Sequence, residues 1–216
     1  TVTLTDSEND TATTSVSAEI GGTLNFADDG AKVLSTGTVS LSGLDMVTAD
    51  AAAVPSVGNY TGGYLNTDSS SFETAFENAV TPSYGADNAG SLDAAAFALS
   101  LTSGGNGQDS GLKVESSNAE IYLWNIGGVI YGSTLNAGFT NALSQQSTIA
   151  FKVEVTDADT GTVQLTQLQA ISHGDAQSNL TDYTADQRDL AGKITLSATV
   201  TLTDSENDTA TTSVSA

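Results

Sequence analysis

Asp204, Glu206 and Asp208 sit at alternate positions of one short acidic run, and Asp6, Glu8 and Asp10 occupy the same places in an earlier run. Carboxylates spaced this way in a tight turn can converge their oxygens on one hard cation. An all-oxygen donor set of this kind suits Ca2+ better than a softer metal. The plain alternative is a solvated acidic turn, because Asp and Asn bond to nearby backbone whether or not a metal is present. The third and fourth positions of the run are Glu206 and Asn207. A third acidic point is Asp28-Asp29-Gly30, where two adjacent carboxylates repel each other unless a cation or solvent intervenes. A Ca2+ ion there would stiffen the joint between two modules. Asp157 and Asp159 lie in an Asp-Ala-Asp-Thr-Gly turn that needs no metal, and Asp87 has two readings, a loop cap, which is favoured, or a member of a site.

Other chemistries find little support. The chain has no cysteine, which removes disulfides, thiolate zinc sites and thiol nucleophiles. His173 is its one histidine, and Ser172 and Asp175 are too close to it in sequence to make an obvious triad. Residues 104–109 look like the opening of a calcium-binding nonapeptide. There is one copy only, however, and its hydrophobic position falls on Gly111. It reads as a Gly-rich loop. No nucleotide loop or zinc-protease helix is present. An enzyme is therefore not expected.

The charge balance narrows the partners. Twenty-six acidic residues against five basic ones give a formal charge of −21. Nucleic acid is excluded as a natural partner, since phosphate binding needs Lys/Arg patches. A bare anionic membrane would repel the chain. No stretch has the length of a membrane-spanning helix, so no direct membrane insertion is expected. Thr1 opens no signal peptide, and the chain reads as an internal slice of something longer. Self-repulsion at this charge destabilises a compact state unless counter-ions bind, and divalent cations are the economical remedy.

The elements that must position these residues are strands. Ile194, Leu196, Ala198, Val200 and Leu202 alternate with polar residues, and the alternation resumes after the acidic run at Ala210, Thr212, Val214 and Ala216. Period-two patterning on both sides of a short loop predicts a β-hairpin with one buried face. Further strands are expected at 39–41, 95–101, 120–126, 149–155 and 162–168. Trp124, in the strand-like run 121–126, is expected in the core. A helix is expected over 71–80, with Ser70 and Glu73 as a capping box, and a second over 136–144. Many short strands with Gly, Ser and Asp in the turns indicate an all-β antiparallel sandwich.

Residues 1–18 are identical to residues 199–216, an offset of 198. Eighteen matching positions mark slightly more than one period of a tandem array. The division that follows is residues 1–18 as the closing hairpin of a preceding repeat, 19–30 as a linker, and 31–216 as a sandwich module. The even-numbered residues of both hairpins are expected to face inward.

Several short segments occur in an order that is similar to the repeat domain of giant type I-secreted RTX adhesins of bacteria. They are 26–30 (FADDG), 84–87 (YGAD), 97–101 (FALSL), 110–112 (SGL), 160–163 (TGTV), 170–173 (AISH) and the closing TLTDSENDTAT. The resemblance implies an immunoglobulin-like β-sandwich, Ca2+ between neighbouring repeats, and an extracellular place on the bacterial cell surface. It also implies a role as an extender in attachment or biofilm formation, holding a distal region that binds a host or biofilm ligand. Within it His173 takes a structural, hydrogen-bonding part. The alternative is that the module itself binds a glycan or protein, for which Tyr60, Tyr64 and Tyr131 would form an aromatic cluster.

Overall fold

Burial along the C-terminal strands shows where the core lies. The computed structural model describes residues 1–27, 29–48, 66–86, 89–140, 142–173 and 187–216. The strands are β1 (Val2–Thr5), β2 (Thr11–Thr14), β3 (Lys32–Thr36), β4 (Asn66–Ser71), β5 (Val80–Ser83), β6 (Ala89–Leu101) and β7 (Gln108–Lys113). They continue with β8 (Glu120–Ile126), β9 (Val129–Ser133), β10 (Ile149–Asp157), β11 (Thr162–Gln167), β12 (Ile194–Asp204) and β13 (Thr209–Ser215). One short helix, α1 (Glu73–Glu77), lies between β4 and β5. Among the described residues no helix is long and apolar enough to cross a membrane.

The chain forms an all-β domain of packed antiparallel sheets. Six strands follow the order β4-β11-β10-β9-β8-β7, and three follow β13-β12-β6. β3 pairs with β5 alone, and β3 also lies beside β13. Pro82 in β5 has no N–H to give a ladder, which fits a strand in a two-stranded pair. β6 faces β8, β9 and β10 across the core. Leu196, Ala198 and Val200 of β12 are buried there, together with Ile121, Leu123, Ile130 and Val153 of the larger sheet, and Leu202 is buried further along β12. A satellite cluster of Trp124, Phe139 and Ile149 packs with Tyr131 alongside, so Trp124 is a core residue as expected.

β6 changes its inward parity halfway. Ala94 is buried, and then Phe97, Leu99 and Leu101 are. The switch falls at Ala96, whose φ is +56°, where the register against β12 shifts. This is a β-bulge: one extra residue turns the rest of the strand over. It aims Phe97 at Phe76 of α1, with ring centroids 5.0 Å apart in an edge-to-face contact.

Several expectations need correction. The helix expected over 71–80 is confined to five residues, and Ser70 and Ser71 belong to β4. The residue before the helix is Phe72, and no side chain caps it. The helix is one turn held between two strands by burial of Phe72 and Phe76, so a capping box has no place to act. The described residues of 136–144 form turns, not a helix, and the Gln145 side chain bonds Thr140 N–H and the Gly138 carbonyl across them. Residues 39–41 are not a strand, although Val39 is buried.

The two identical hairpins share one register. Val2, Thr3, Leu4 and Thr5 oppose Thr14, Thr13, Ala12 and Thr11. Val200, Thr201, Leu202 and Thr203 oppose Thr212, Thr211, Ala210 and Thr209 in the same way. The expectation that both apolar faces point inward holds for the second hairpin only. Val200 and Leu202 are fully buried, whereas Val2 is 58 % and Leu4 73 % exposed. The β1–β2 hairpin is a two-stranded sheet by itself, without the β6 ladder that β12 has.

This pair of copies provides an internal control. Leu202→Ala should cost about 2–5 kcal/mol, the usual range for emptying a core leucine site. Leu4→Ala, the same change in the same local sequence, should stay within about 0.5 kcal/mol. Urea midpoints of the two variants measure the difference.

Candidate functional site

The strand parity that buries Val200 and Leu202 carries one step further, to Asp204. Its side chain therefore lies on the inner face at the end of β12 and is only 3 % exposed. A carboxylate there must be hydrogen-bonded, since a buried unpaired charge is costly. One oxygen, Oδ1, accepts from Glu206 N–H at 3.0 Å and from Asp208 N–H at 2.9 Å. The other, Oδ2, accepts from Ala31 N–H at 3.2 Å. The turn is closed further by Asp204 N–H donating to the Asp208 carbonyl. Asn207 adopts φ +72°, a left-handed conformation that Asn tolerates better than most residues.

Residues 29–31, where the chain enters the module, are thus seated against the tip of the β12–β13 hairpin. Gly30 lies so close to Asp208 that an added Cβ would stand 3.2 Å from Asp208 Oδ2. On the other side, Asp29 Oδ2 accepts from Ala86 N–H at 2.9 Å. Gly85, at φ +69°, packs directly under the Asp29 backbone, where a side chain would collide. Tertiary structure therefore brings Asp29, Asp204 and Asp208 to one end of the module. Asp28, expected beside them, and Asp87 lie outside the described residues.

The twin turn repeats the local geometry. Asp6 Oδ1 accepts from Glu8 N–H at 2.9 Å and Asp10 N–H at 3.0 Å, and Asn9 takes φ +68°. Asp6, Glu8 and Asp10 are exposed. In both turns the first Asp directs one oxygen to backbone N–H groups, so the turn is held by its own amides.

Among the described residues, the three carboxylates gathered within 4.8 Å of one another are elsewhere: Glu73 and Glu77 of α1 with Asp93 of β6. Sequence reasoning missed this group. Glu73 and Glu77 are one helical turn apart and could have been noticed, but Asp93 joins them only through tertiary packing. Partial burial, reinforced by the negative charges of Glu73 and Asp93, pushes the Glu77 carboxyl above its ordinary value. The three oxygens could hold a divalent cation, which would relieve that repulsion.

The remaining candidates lie apart from these groups. Asp157 accepts from Thr160 N–H and Asp159 N–H, and these bonds lower its pKa. The carbonyl of His173 accepts from the Arg188 guanidinium. Tyr131 packs against Phe139, and Tyr60 and Tyr64 lie outside the described residues, so no aromatic platform is assembled from what is described. A recess of about 240 Å³ beside β6 is lined by Phe97, Ala98, Leu99, Gly127, Gly128, Val129, Val155 and Ala158, none with a polar side chain.

Residues 45–215 match the family described as Domain of unknown function (DUF5801), and the chain belongs to that family. No curated protein and no solved structure matches the chain.

Two outcomes follow from the site. Asp204→Asn places an amide NH2 against Ala31 N–H and should cost about 1–3 kcal/mol. Asp6→Asn in the exposed twin should leave the global urea midpoint within about 0.5 kcal/mol of the parent. Equal losses would show that the contact between Ala31 and Asp204 is not what the second turn contributes.

Glu77→Gln gives a test in pH. A carboxyl whose folded pKa is raised costs stability while charged, and that cost disappears as pH falls through the folded value. The variant should therefore be more stable than the parent at pH 7, by about 0.2–0.5 kcal/mol for an i, i+4 like-charge pair. The gain should vanish below the ordinary carboxyl value of 4.5. Thermal midpoints across this range are the measurement.

Proposed function

We propose that this chain is an extender repeat of a calcium-dependent, RTX-type adhesin on a bacterial surface, with an immunoglobulin-like sandwich as its rigid unit. The observation that carries the reading is where the chain enters and leaves the module. Entry is at Ala31, bonded to Asp204 at the tip of the β12–β13 hairpin. On the tandem reading the chain passes on after the β12–β13 hairpin, beyond Ala216, which exchanges backbone bonds with Leu196 at the opposite end of that hairpin. Eight residue steps of strand separate them, about 26 Å at the usual rise. A module entered at one end and left at the other lengthens a tandem chain with every repeat. A module whose ends were adjacent would fold the array back on itself.

Charge supports the calcium part of the reading. Of the five basic residues, Lys113 and Lys152 each pair with one carboxylate, at Glu120 and Glu154. Lys193 and Arg188 also donate to main-chain carbonyls. The surplus of acids is left for counter-ions. Asp29, Asp204 and Asp208 stand at the entry, with Glu206 in the same turn and Asp28 next in sequence. Ca2+ bound there would link the entering chain to the hairpin tip and limit bending at the joint. Asp6, Glu8 and Asp10 are the same turn in the preceding repeat. Binding to the folded state alone stabilises it by RT ln(1 + [L]/Kd). Millimolar Ca2+ outside the cell would then favour folding after export.

Small-angle scattering of a chain of four periods tests this. In Ca2+ the maximum dimension should grow linearly, by at least ~26 Å for each added period. Chelation should shorten it and lower the thermal midpoint. Equal dimensions in both conditions, with the modules still folded, would leave a calcium-independent spacer.

A further inference from the structure

We infer that the exposed apolar face of the β1–β2 hairpin is an interface for a preceding copy of this module, whose β6 strand and core it closes. The inference rests on the tandem reading above but needs neither calcium nor stiffness. Its basis is that the occupant of this face is visible in the same structure. The identical sequence at residues 199–216 has its β12 strand laddered to β6, with Val200 opposite Ala94, Leu202 opposite Leu92 and Asp204 opposite Ala89. Its inward face is covered, and Val214 is 4 % exposed. In the first copy the same positions carry no such ladder, and Val16 is 72 % exposed. Over Val2–Thr5 and Thr11–Thr14 the register and side chains are those of Val200–Thr203 and Thr209–Thr212, so the surface that fits one hairpin fits the other.

The apolar surface near the chain start has the same explanation. Among the described residues, Val2, Leu4, Val16, Ile20, Leu24 and Phe26 are exposed large hydrophobics within the first 27 positions. Three others, Leu34, Leu41 and Leu143, are scattered over the remaining chain. An isolated two-stranded hairpin is at best marginal in water, and a contiguous apolar face marks an interface. With residue 18 seated as Ala216 is, against the preceding module, residues 19–27 alone span the joint before Asp29 and Ala31 dock on the next one. The boundary between structural modules therefore falls after residue 18, and each hairpin belongs to the body before it.

The absence of cysteine makes the test direct, since one introduced thiol is the only one present. Val16→Cys and Val214→Cys are made in the full chain, and labelling by a thiol reagent is timed. Val16→Cys should react freely, and Val214→Cys should be slower by roughly tenfold or more, through local opening alone. A two-period chain is then built from residues 1–198 followed by the full chain, with a single cysteine at the valine of the middle hairpin that corresponds to Val16. That thiol should become as protected as Val214→Cys, while a cysteine in the first hairpin stays reactive. Leu4→Cys and Leu202→Cys form a second pair should Val214→Cys weaken the core. A middle hairpin that labels as fast as the first would overturn the inference, whatever scattering shows. Protection there without calcium-dependent extension would keep it and overturn the stiff-spacer reading.

Discussion

The buried carboxylate of Asp204 is the contact on which the architecture turns. It gathers three backbone N–H groups from two places far apart in sequence: Glu206 and Asp208 in its own turn, and Ala31 at the chain's entry. The first two shape the hairpin tip. The third fastens the entering strand to the exit hairpin. Charge-assisted bonds of this kind are stronger than neutral ones, and removing the acceptor would take the partner of all three donors at once. β6 starts at the same point, with Ala89 opposite Asp204 and Gly90 packed against the backbone of Thr203 and Asp204. Three segments of the fold thus meet around one side chain.

The two hairpins separate local from tertiary energetics. Both build the same turn with the same amide contacts to Asp6 or Asp204, and both take Asn9 or Asn207 to positive φ. What differs is what lies over the face. In the second copy, apolar burial and the β6 ladder add the hydrophobic term that dominates folding. In the first copy that term is absent within this chain. An acidic composition sharpens the contrast, because self-repulsion must be offset by burial or by ions.

Much of the sheet framework was legible in the sequence. Residues 120–126 form β8 with the expected bounds, and β10, β11 and β12 lie within a few residues of expectation. Other strands were not legible, for identifiable reasons. β4 contains no apolar residue, so no period could announce it; its pairing with β11 makes it a strand. β7 is interrupted by Gly111 at φ +80°, where its register against β8 breaks. The Gly127-Gly128 turn, both residues at positive φ, was a readable hairpin signal for β9. Of the acidic sites, the two turns could be found by pattern. The meeting of Asp29 with the second turn, and of Asp93 with Glu73 and Glu77, could not, because it depends on long-range pairing.

Sequence alone determined the hairpin, its register and its acidic turn, since the same eighteen residues produced them twice in different surroundings. Alternation and Asn at the left-handed position suffice for that, through backbone sterics and short-range amide bonds. It also determined that one face of each hairpin must seek cover. Tertiary structure decided which copy finds it within this chain. β6 offers one ladder and one open core, and β12 takes both because residues 194–198 run continuously into the same sheet. The first copy, equal in every side chain, is left with its apolar face to solvent.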